Sequence, residues 1–371
     1  QKAKEISNVV NKSKHRKEFN YVLGGHGPGA DPEFFRRRFE ADTVVVGDGE
    51  SAIIRIAQGN EKGIIQGKPW EKEQDYSGYY AQFPMHIYRL IRWPTSSRKD
   101  FCFPILSSRG CKWHCSFCYR MREGFYERPV EAIIEEIKFL YRTYQINHFQ
   151  FSDELLMSSE KRTEEICTAI SRLHFKIKWD CNGRLNFAKS PLLTLMKKSG
   201  AQYINYGIES LDRKILNQMG KGLTAEQIHR GVKATLQVGL SPGLNLLWGF
   251  PGDSVENLQN AVAFLKKYDS CDELRTVRPV TPYPGTPLYA KAIDMGLLTG
   301  PDDFYENKHK NSDLFTVDFM GMGIDAANHA LYDANLELMQ NYSFKNGLKN
   351  KRTAYKLYYE GDTNFRGFRT V

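Results

Sequence analysis

Phe103-Pro-Ile-Leu-Ser-Ser-Arg-Gly-Cys111-Lys-Trp-His-Cys115-Ser-Phe-Cys118-Tyr119-Arg120 is the stretch on which the reading of this chain turns. A strand-like apolar run leads into three cysteines that fall within eight residues, in a C-x3-C-x2-C spacing. Thiolates this close in sequence converge on one soft metal centre from a single loop. Buried thiols without metal are the plainest alternative, and part of a zinc site is the next. A structural zinc fills four positions with Cys or His. His114 lies inside the loop but adjacent to Cys115, and no second C-x2-C pair exists elsewhere. Three thiolates without an evident fourth suit an iron–sulfur cube with one iron left open, and an open iron is a substrate site.

Downstream of the loop the chain alternates regularly. Helices are expected over 129–144, 159–173, 189–199, 211–219, 224–238 and 254–268, and strands over 103–107, 147–152, 176–181, 203–208, 243–248 and 274–281. Pro129 opens the first helix, Thr224 and Gln227 form a capping box, and Gly200, Gly220 and Gly239 stop helices. Six strands alternating with helices predict an α/β fold, a partial (β/α)6 TIM-like barrel. Polar residues fall just past successive strand ends: Asp153-Glu154, Arg184, Glu209-Ser210. That rim is where such barrels carry function.

Upstream, a polar helix over 1–18 precedes a strand beginning at Phe19, the turn residues His26-Gly-Pro-Gly, a helix from Pro32 to Glu40, a strand 42–47 and a helix from Ser51. This is the distal half of a doubly wound, Rossmann-like sheet. The expected divisions are 1–65 for this unit, 66–100 for a linker, 101–299 for the barrel and 300–371 for a mixed C-terminal extension. The extension should hold a helix over 325–341 and a basic tail.

Composition sets the bounds. Apolar and charged fractions of 41% and 26% are those of a globular protein. No apolar run approaches the ~20 residues that span a bilayer, and no charged-then-apolar leader is visible. Gln1 in place of Met points to a longer or processed precursor. Seven cysteines, with Cys102, Cys167, Cys181 and Cys271 scattered, do not form a secreted disulfide framework, so the cytoplasm is expected. The +9 charge lies at the ends: residues 1–20 carry six cations against two acids, and residues 341–371 carry seven against two. Basic ends are compatible with nucleic acid, but solvated termini are the commoner cause.

The C-x3-C-x-φ-C loop, with Phe117 before the last cysteine, resembles the radical S-adenosylmethionine superfamily. The likeness extends over about 101–290 through Phe151-Ser-Asp-Glu, Trp179-Asp-Cys-Asn-Gly-Arg, Tyr206-Gly-Ile-Glu-Ser, Met219-Gly-Lys-Gly, Leu247-Trp-Gly-Phe-Pro-Gly and Pro282-Tyr-Pro-Gly-Thr-Pro. It implies a [4Fe-4S] cluster on Cys111, Cys115 and Cys118, chelated by S-adenosylmethionine, which one electron cleaves to a hydrogen-abstracting 5′-deoxyadenosyl radical. It further implies Asp153, then Glu154, for the cofactor ammonium, and Arg184 and Lys221 for its carboxylate. Glu209, Ser210 and Asn245 are implied for the ribose, and Phe117 and Tyr119 beside the adenine. Tyr283 is a candidate catalytic residue, and a flavodoxin- or ferredoxin-type protein is the implied electron donor.

The front of the chain is similar to the distal half of the cobalamin-binding domain that precedes many radical enzymes. Gly24, Gly25, Gly47, Asp48, Gly49 and Glu50 are the residues that would line a nucleotide tail. The implied reaction is cobalamin-dependent methyl transfer to an unactivated carbon of a small molecule or peptide. Radical ring formation is an alternative. A methylthiotransferase of tRNA or protein is a lesser one, because no cysteine precedes Cys102 to hold its second cluster. Arg120 stands where the coproporphyrinogen-oxidase type carries a fourth cysteine. A zinc-loaded RNA-binding protein is the non-enzyme alternative.

Overall fold

The computed structural model describes residues 2–59, 61–68, 80–88, 95–97, 99–120, 124–271 and 273–360. Much of the stretch 66–100 expected as a linker, and residues 361–371 of the basic tail, lie outside these.

The front unit runs α1 (Lys2–Asn11), β1 (Val22–Leu23), α2 (His26–Ala30), α3 (Pro32–Phe39), β2 (Thr43–Val46), α4 (Glu50–Ala57) and β3 (Gly63–Gln66). Its three strands are parallel in the order β1-β2-β3. Val45, Ala52, Ile56 and Ile65 form their core. The helix expected over 1–18 ends at Asn11, with only a 3-10 turn over Arg16–Glu18 beyond it. β3 was hidden in a stretch that reads as connector, since Ile64-Ile65 are its only apolar pair between glycines. His26–Ala30 is one helical turn and not a loop. Pro28 fits there because a first-turn N–H has no intrahelical partner to lose.

A short helix α5 (Met85–Tyr88) leads to the barrel. Its strands are β4 (Cys102–Ile105), β7 (His148–Phe151), β8 (Lys178–Gly183), β9 (Ala201–Glu209), β10 (Ser241–Trp248) and β11 (Arg278–Pro279). They form one parallel sheet in the order β11-β10-β9-β8-β7-β4. Helices α6 (Val130–Tyr144), α7 (Glu160–Ser171), α8 (Ser190–Lys198), α9 (Arg213–Gln218), α10 (Ala225–Gln237) and α11 (Val255–Tyr268) supply the crossovers. Such connections are what parallel strands require.

The two sheet faces differ. Phe149, Phe151, Trp179, Ile204, Tyr206, Leu244 and Trp248 are buried in the main core. The alternating Gln150, Asn182, Asn205 and Asn245 are not buried. The sheet is therefore a curled half-barrel whose concave side is polar and open.

Beyond β11 come α12 (Pro287–Asp294), a π-helical turn at Asp303–Lys308 and α13 (Ile324–Tyr358), far longer than the helix expected over 325–341. Lys266 of α11 pairs with Glu337 of α13 at 2.6 Å. Asn335 both donates to the Val277 carbonyl at 3.0 Å and accepts from its N–H at 2.9 Å. That side chain satisfies the backbone just ahead of β11, which is why the strand expected over 274–281 is confined to two residues. The front unit rests on the C-terminal extension through Arg37–Asp302 at 2.9 Å, Arg38–Glu306 at 3.0 Å and a Lys4–Glu306 pair. Among the described residues, no helix is long and apolar enough to cross a membrane.

Two glycines that end helices separate steric from conformational cost. Gly200 has φ +107°, and a Cβ there would lie 2.2 Å from the Ile177 carbonyl oxygen. Gly239 has φ +74° and open space around it. Gly239→Ala should cost about 1–2 kcal/mol, the left-handed penalty alone. Gly200→Ala should cost more than about 3 kcal/mol, because backbone must move. Urea midpoints of the two variants check the difference.

Candidate functional site

The cysteine loop rises from a small antiparallel ribbon, β5 (Ser108–Gly110) against β6 (Phe125–Glu127), just past the end of β4. Ser116 fixes it across the barrel top. Its N–H donates to the Met219 carbonyl at 2.8 Å, and its carbonyl accepts from the Leu288 N–H at 2.9 Å. Gly220, at φ +65°, comes so close that a Cβ would touch the His114 carbonyl at 3.4 Å. Cys111 and Cys115 are half-buried and Cys118 is exposed. Burial and the neighbouring Cys115 and Cys111 sulfurs nonetheless push the Cys118 thiol up to about 11. Exposure and desolvation coexist because a thiol on a cleft wall can meet water while surrounded by protein. Among the described residues no three His, Cys, Asp or Glu side chains are placed to hold one metal ion. The three thiols lie within electrostatic reach of one another, an all-sulfur donor set of the kind iron–sulfur clusters take.

Two buried cations face this loop. Arg184, 6% exposed, lies over the Trp113 ring with 3.6 Å from Cζ to the ring centre. Burial lowers its pKa, and Cys115 is its hydrogen-bonding neighbour. Its Nε and Nη2 have no hydrogen-bond partner. Lys221 is committed to Glu209 at 3.0 Å, with both side chains about nine-tenths buried. Glu209 sits at φ +67°, the end of β9. A Cβ on Gly207 would lie 2.2 Å from Glu209 Oε1 and 2.9 Å from Lys221 Nζ, so a larger residue there would have to displace the pair.

The remaining residues read from the sequence are placed unevenly. Asp153 is 1% exposed and accepts from Ser107 N, Ser107 Oγ and Ser108 Oγ at 2.6–3.2 Å. Burial raises its carboxyl to about 6 despite those donors. It ties the β4 and β7 ends together. Glu154 is exposed, accepts from Gly110 N at 2.6 Å and lies near Cys111. Ser210 is buried and accepts from Asp212 N at 3.1 Å. Asn245 is on the concave face within β10 and not at its end. Phe117 packs edge-on against Phe250 at 5.6 Å.

Tyr119 and Tyr283 have their side chains engaged elsewhere in the chain. A Cβ on Gly29 would lie 3.0 Å from the Tyr119 hydroxyl, and one on Gly285 2.9 Å from its ring. The Tyr119 side chain thus wedges between the front unit and the turn before α12. Tyr283 bonds Ser312 at 3.0 Å and packs near His309 at 5.5 Å, which turns it toward the C-terminal extension.

The front unit meets the barrel mouth at a cleft of about 750 Å³. Gly24, Asp48, Gly49 and Glu50 line it from one side, and Leu106, Ser108, Ser152 and Glu154 from the other. Gly25 and Gly47, at φ +97° and +85°, make turns and do not line it. Arg109 spans the cleft, 2.6 Å from Glu50 and 3.5 Å from Asp48. Sequence reasoning missed Arg109 and Trp113. Each lies two residues from Cys111, and that closeness to the first cysteine was the signal available.

The buried ion pair gives a direct test. Lys221→Met should destabilise the fold by about 3–5 kcal/mol, since Glu209 is left charged and unpaired. Adding Glu209→Leu should recover most of that loss. Urea unfolding of the single and double variants reads both.

Residues 105–265 match the Radical SAM superfamily. The chain is 30% identical over 296 residues to an uncharacterized methyltransferase of Pyrococcus horikoshii, covering 75% of this chain and 64% of that protein. It is 26% identical over 267 residues to the bacteriochlorophyllide d C-12(1)-methyltransferase of Chlorobaculum tepidum, covering 68% and 56%. It thus spans roughly three fifths of the length of these relatives. The radical S-adenosylmethionine methyltransferase TsrM of Kitasatospora setae, solved with cobalamin and a [4Fe-4S] cluster bound, shares the fold at TM-score 0.67 and 15% identity. That alignment covers 91% of this chain and 75% of TsrM. With the half-barrel, the three-cysteine loop at its mouth and this family match in agreement, residues 105–265 form a radical S-adenosylmethionine superfamily domain.

Proposed function

We propose that this chain carries the reaction centre of a cobalamin-dependent radical methyltransferase acting on an unactivated carbon. The observation that carries the reading is the cleft between Gly24, Asp48, Gly49 and Glu50 of the front unit and the strand ends Leu106, Ser108 and Ser152. It opens beside the cysteine loop, where a methyl carrier would need to lie. Reductive cleavage of S-adenosylmethionine at a cluster on Cys111, Cys115 and Cys118, and methyl carriage by a corrin in the cleft, are the chemistry the two sites would serve.

The chain's own residues then divide the work. Glu154, exposed near Cys111, receives the cofactor ammonium, while Asp153 is occupied by serine donors. Arg184 receives the carboxylate. Lys221 holds Glu209 at the rim, and Glu209 together with Asn245 of the concave face takes hydroxyl groups of the ribose. Phe117 and the Tyr119 backbone border the adenine. The polar concave face, with Gln150, Asn182 and Asn205, receives a small molecule or peptide. A flavodoxin- or ferredoxin-type donor reaches the loop in the reducing cytoplasm, where the thiols stay available.

Anaerobic reconstitution of the full-length protein with iron, sulfide and a corrinoid tests the reading. Bound corrinoid and a product heavier by one methyl group are expected. Failure to retain corrinoid, or a product that has only lost hydrogens, overturns methyl transfer. Cys111→Ala, Cys115→Ala and Cys118→Ala should each abolish 5′-deoxyadenosine formation. Full formation by any one of them refutes the ligand assignment.

A further inference from the structure

We propose that Trp113 and Arg184 form one carboxylate clamp, with the indole N–H donating to the same ligand as the guanidinium. The inference rests on the S-adenosylmethionine reading above and adds to it a residue inside the cysteine loop.

The argument starts from unmet hydrogen-bonding capacity. A buried guanidinium without an anion is costly, and proteins pair or coordinate such groups. Arg184 is 6% exposed, yet its Nε and Nη2 have no partner. Those two nitrogens share one edge of the guanidinium, the fork that matches both oxygens of a carboxylate. The charged neighbours of Arg184 are sulfurs, and the two buried rim carboxylates have other partners. Glu209 holds Lys221, and Asp153 holds Ser107 and Ser108. The neighbouring sulfurs of Cys111 and Cys115 belong to the proposed cluster.

Trp113 supplies the second observation. Its ring lies 3.6 Å from Arg184 Cζ, and stacking of this kind fixes the guanidinium plane while leaving its edges free. A buried indole N–H ordinarily finds an acceptor. Trp113 Nε1 is buried and has none. Three orphaned donors thus come from two stacked groups. Gly222 keeps space beside them: at φ +62°, a Cβ there would lie 3.4 Å from both Arg184 Nη2 and the Trp113 ring. A merely structural stack would leave no reason for all three donors to lack partners.

The test compares two ligands that differ in one group, on the anaerobically reconstituted full-length protein. S-adenosylmethionine carries the carboxylate, and decarboxylated S-adenosylmethionine keeps the sulfonium, ribose and adenine without it. Equilibrium binding of each is measured for the wild type, Trp113→Phe and Arg184→Met. Trp113→Phe keeps a ring to stack and removes only the N–H. It should weaken S-adenosylmethionine by about tenfold, as expected for a hydrogen bond to a charged group, and leave the decarboxylated ligand within about twofold. Arg184→Met should weaken S-adenosylmethionine about a hundredfold, with a much smaller effect on the decarboxylated ligand. Equal losses for both ligands, or no loss in Trp113→Phe, overturn the clamp. A wild type that binds neither ligand refutes the cofactor reading itself, a distinct outcome. Thermal midpoints without ligand guard against misfolding. Arg184→Met should stay close to the wild type, because it removes a buried charge whose Nε and Nη2 have no partner, whereas a large drop would show a structural role and overturn the inference.

Discussion

The Ser116 peptide is the constraint on which the site depends. A half-barrel with edges at β4 and β11 does not close through its own strands, so its two sides must be held in register by something else. The cysteine loop leaves the β4 edge and is bonded at Ser116 to Met219, which follows β9, and to Leu288, which follows β11. Both bonds are backbone to backbone, so they do not depend on which side chains occupy the loop. The same two bonds that place three thiols over the barrel mouth also span the open side of the barrel. Loop position and barrel curvature are therefore one problem with one solution.

With the loop fixed, the charges around it sort by partner. Lys221 and Glu209 neutralise each other in a space that Gly207 leaves open, and Asp153 spends its oxygens on Ser107 and Ser108. Arg184 is set apart by having only an aromatic face and sulfur neighbours. Packing a cation on Trp113 retains it without satisfying it. A site that must take up an anionic group benefits from this arrangement, because Nε and Nη2 have no internal partner to displace.

Periodicity and capping made most of the barrel legible. The Thr224–Gln227 capping box and the Pro129 start were written in residue types whose local physics decides the outcome. The elements that escaped were decided by tertiary contacts. β3 has two apolar residues and exists because β2 lies beside it, and β5 with β6 forms a ribbon of three residues per strand. The length of α13 escaped because its distal part is polar and aromatic without a clear apolar stripe. In the site, residue type and strand-end position could not reveal the partners. Strand-end serines hold Asp153, and the front unit encloses the Tyr119 side chain.

The concave face adds a directional argument that no residue pattern displays. Asn182 Nδ2 donates to the Asp153 carbonyl at 2.8 Å, Asn205 Nδ2 to Asn182 Oδ1 at 3.0 Å, and Asn245 Nδ2 to Asn205 Oδ1 at 2.7 Å. A backbone carbonyl only accepts, so the first amide must present nitrogen to it and oxygen to the next. Each following amide inherits that orientation. The fixed acceptor at one end thus orients the whole row. The row therefore ends with Asn245 Oδ1, an acceptor carried on an exposed residue of β10. One main-chain carbonyl beyond β7 thereby sets the polarity of hydrogen bonding across three strands of the open face.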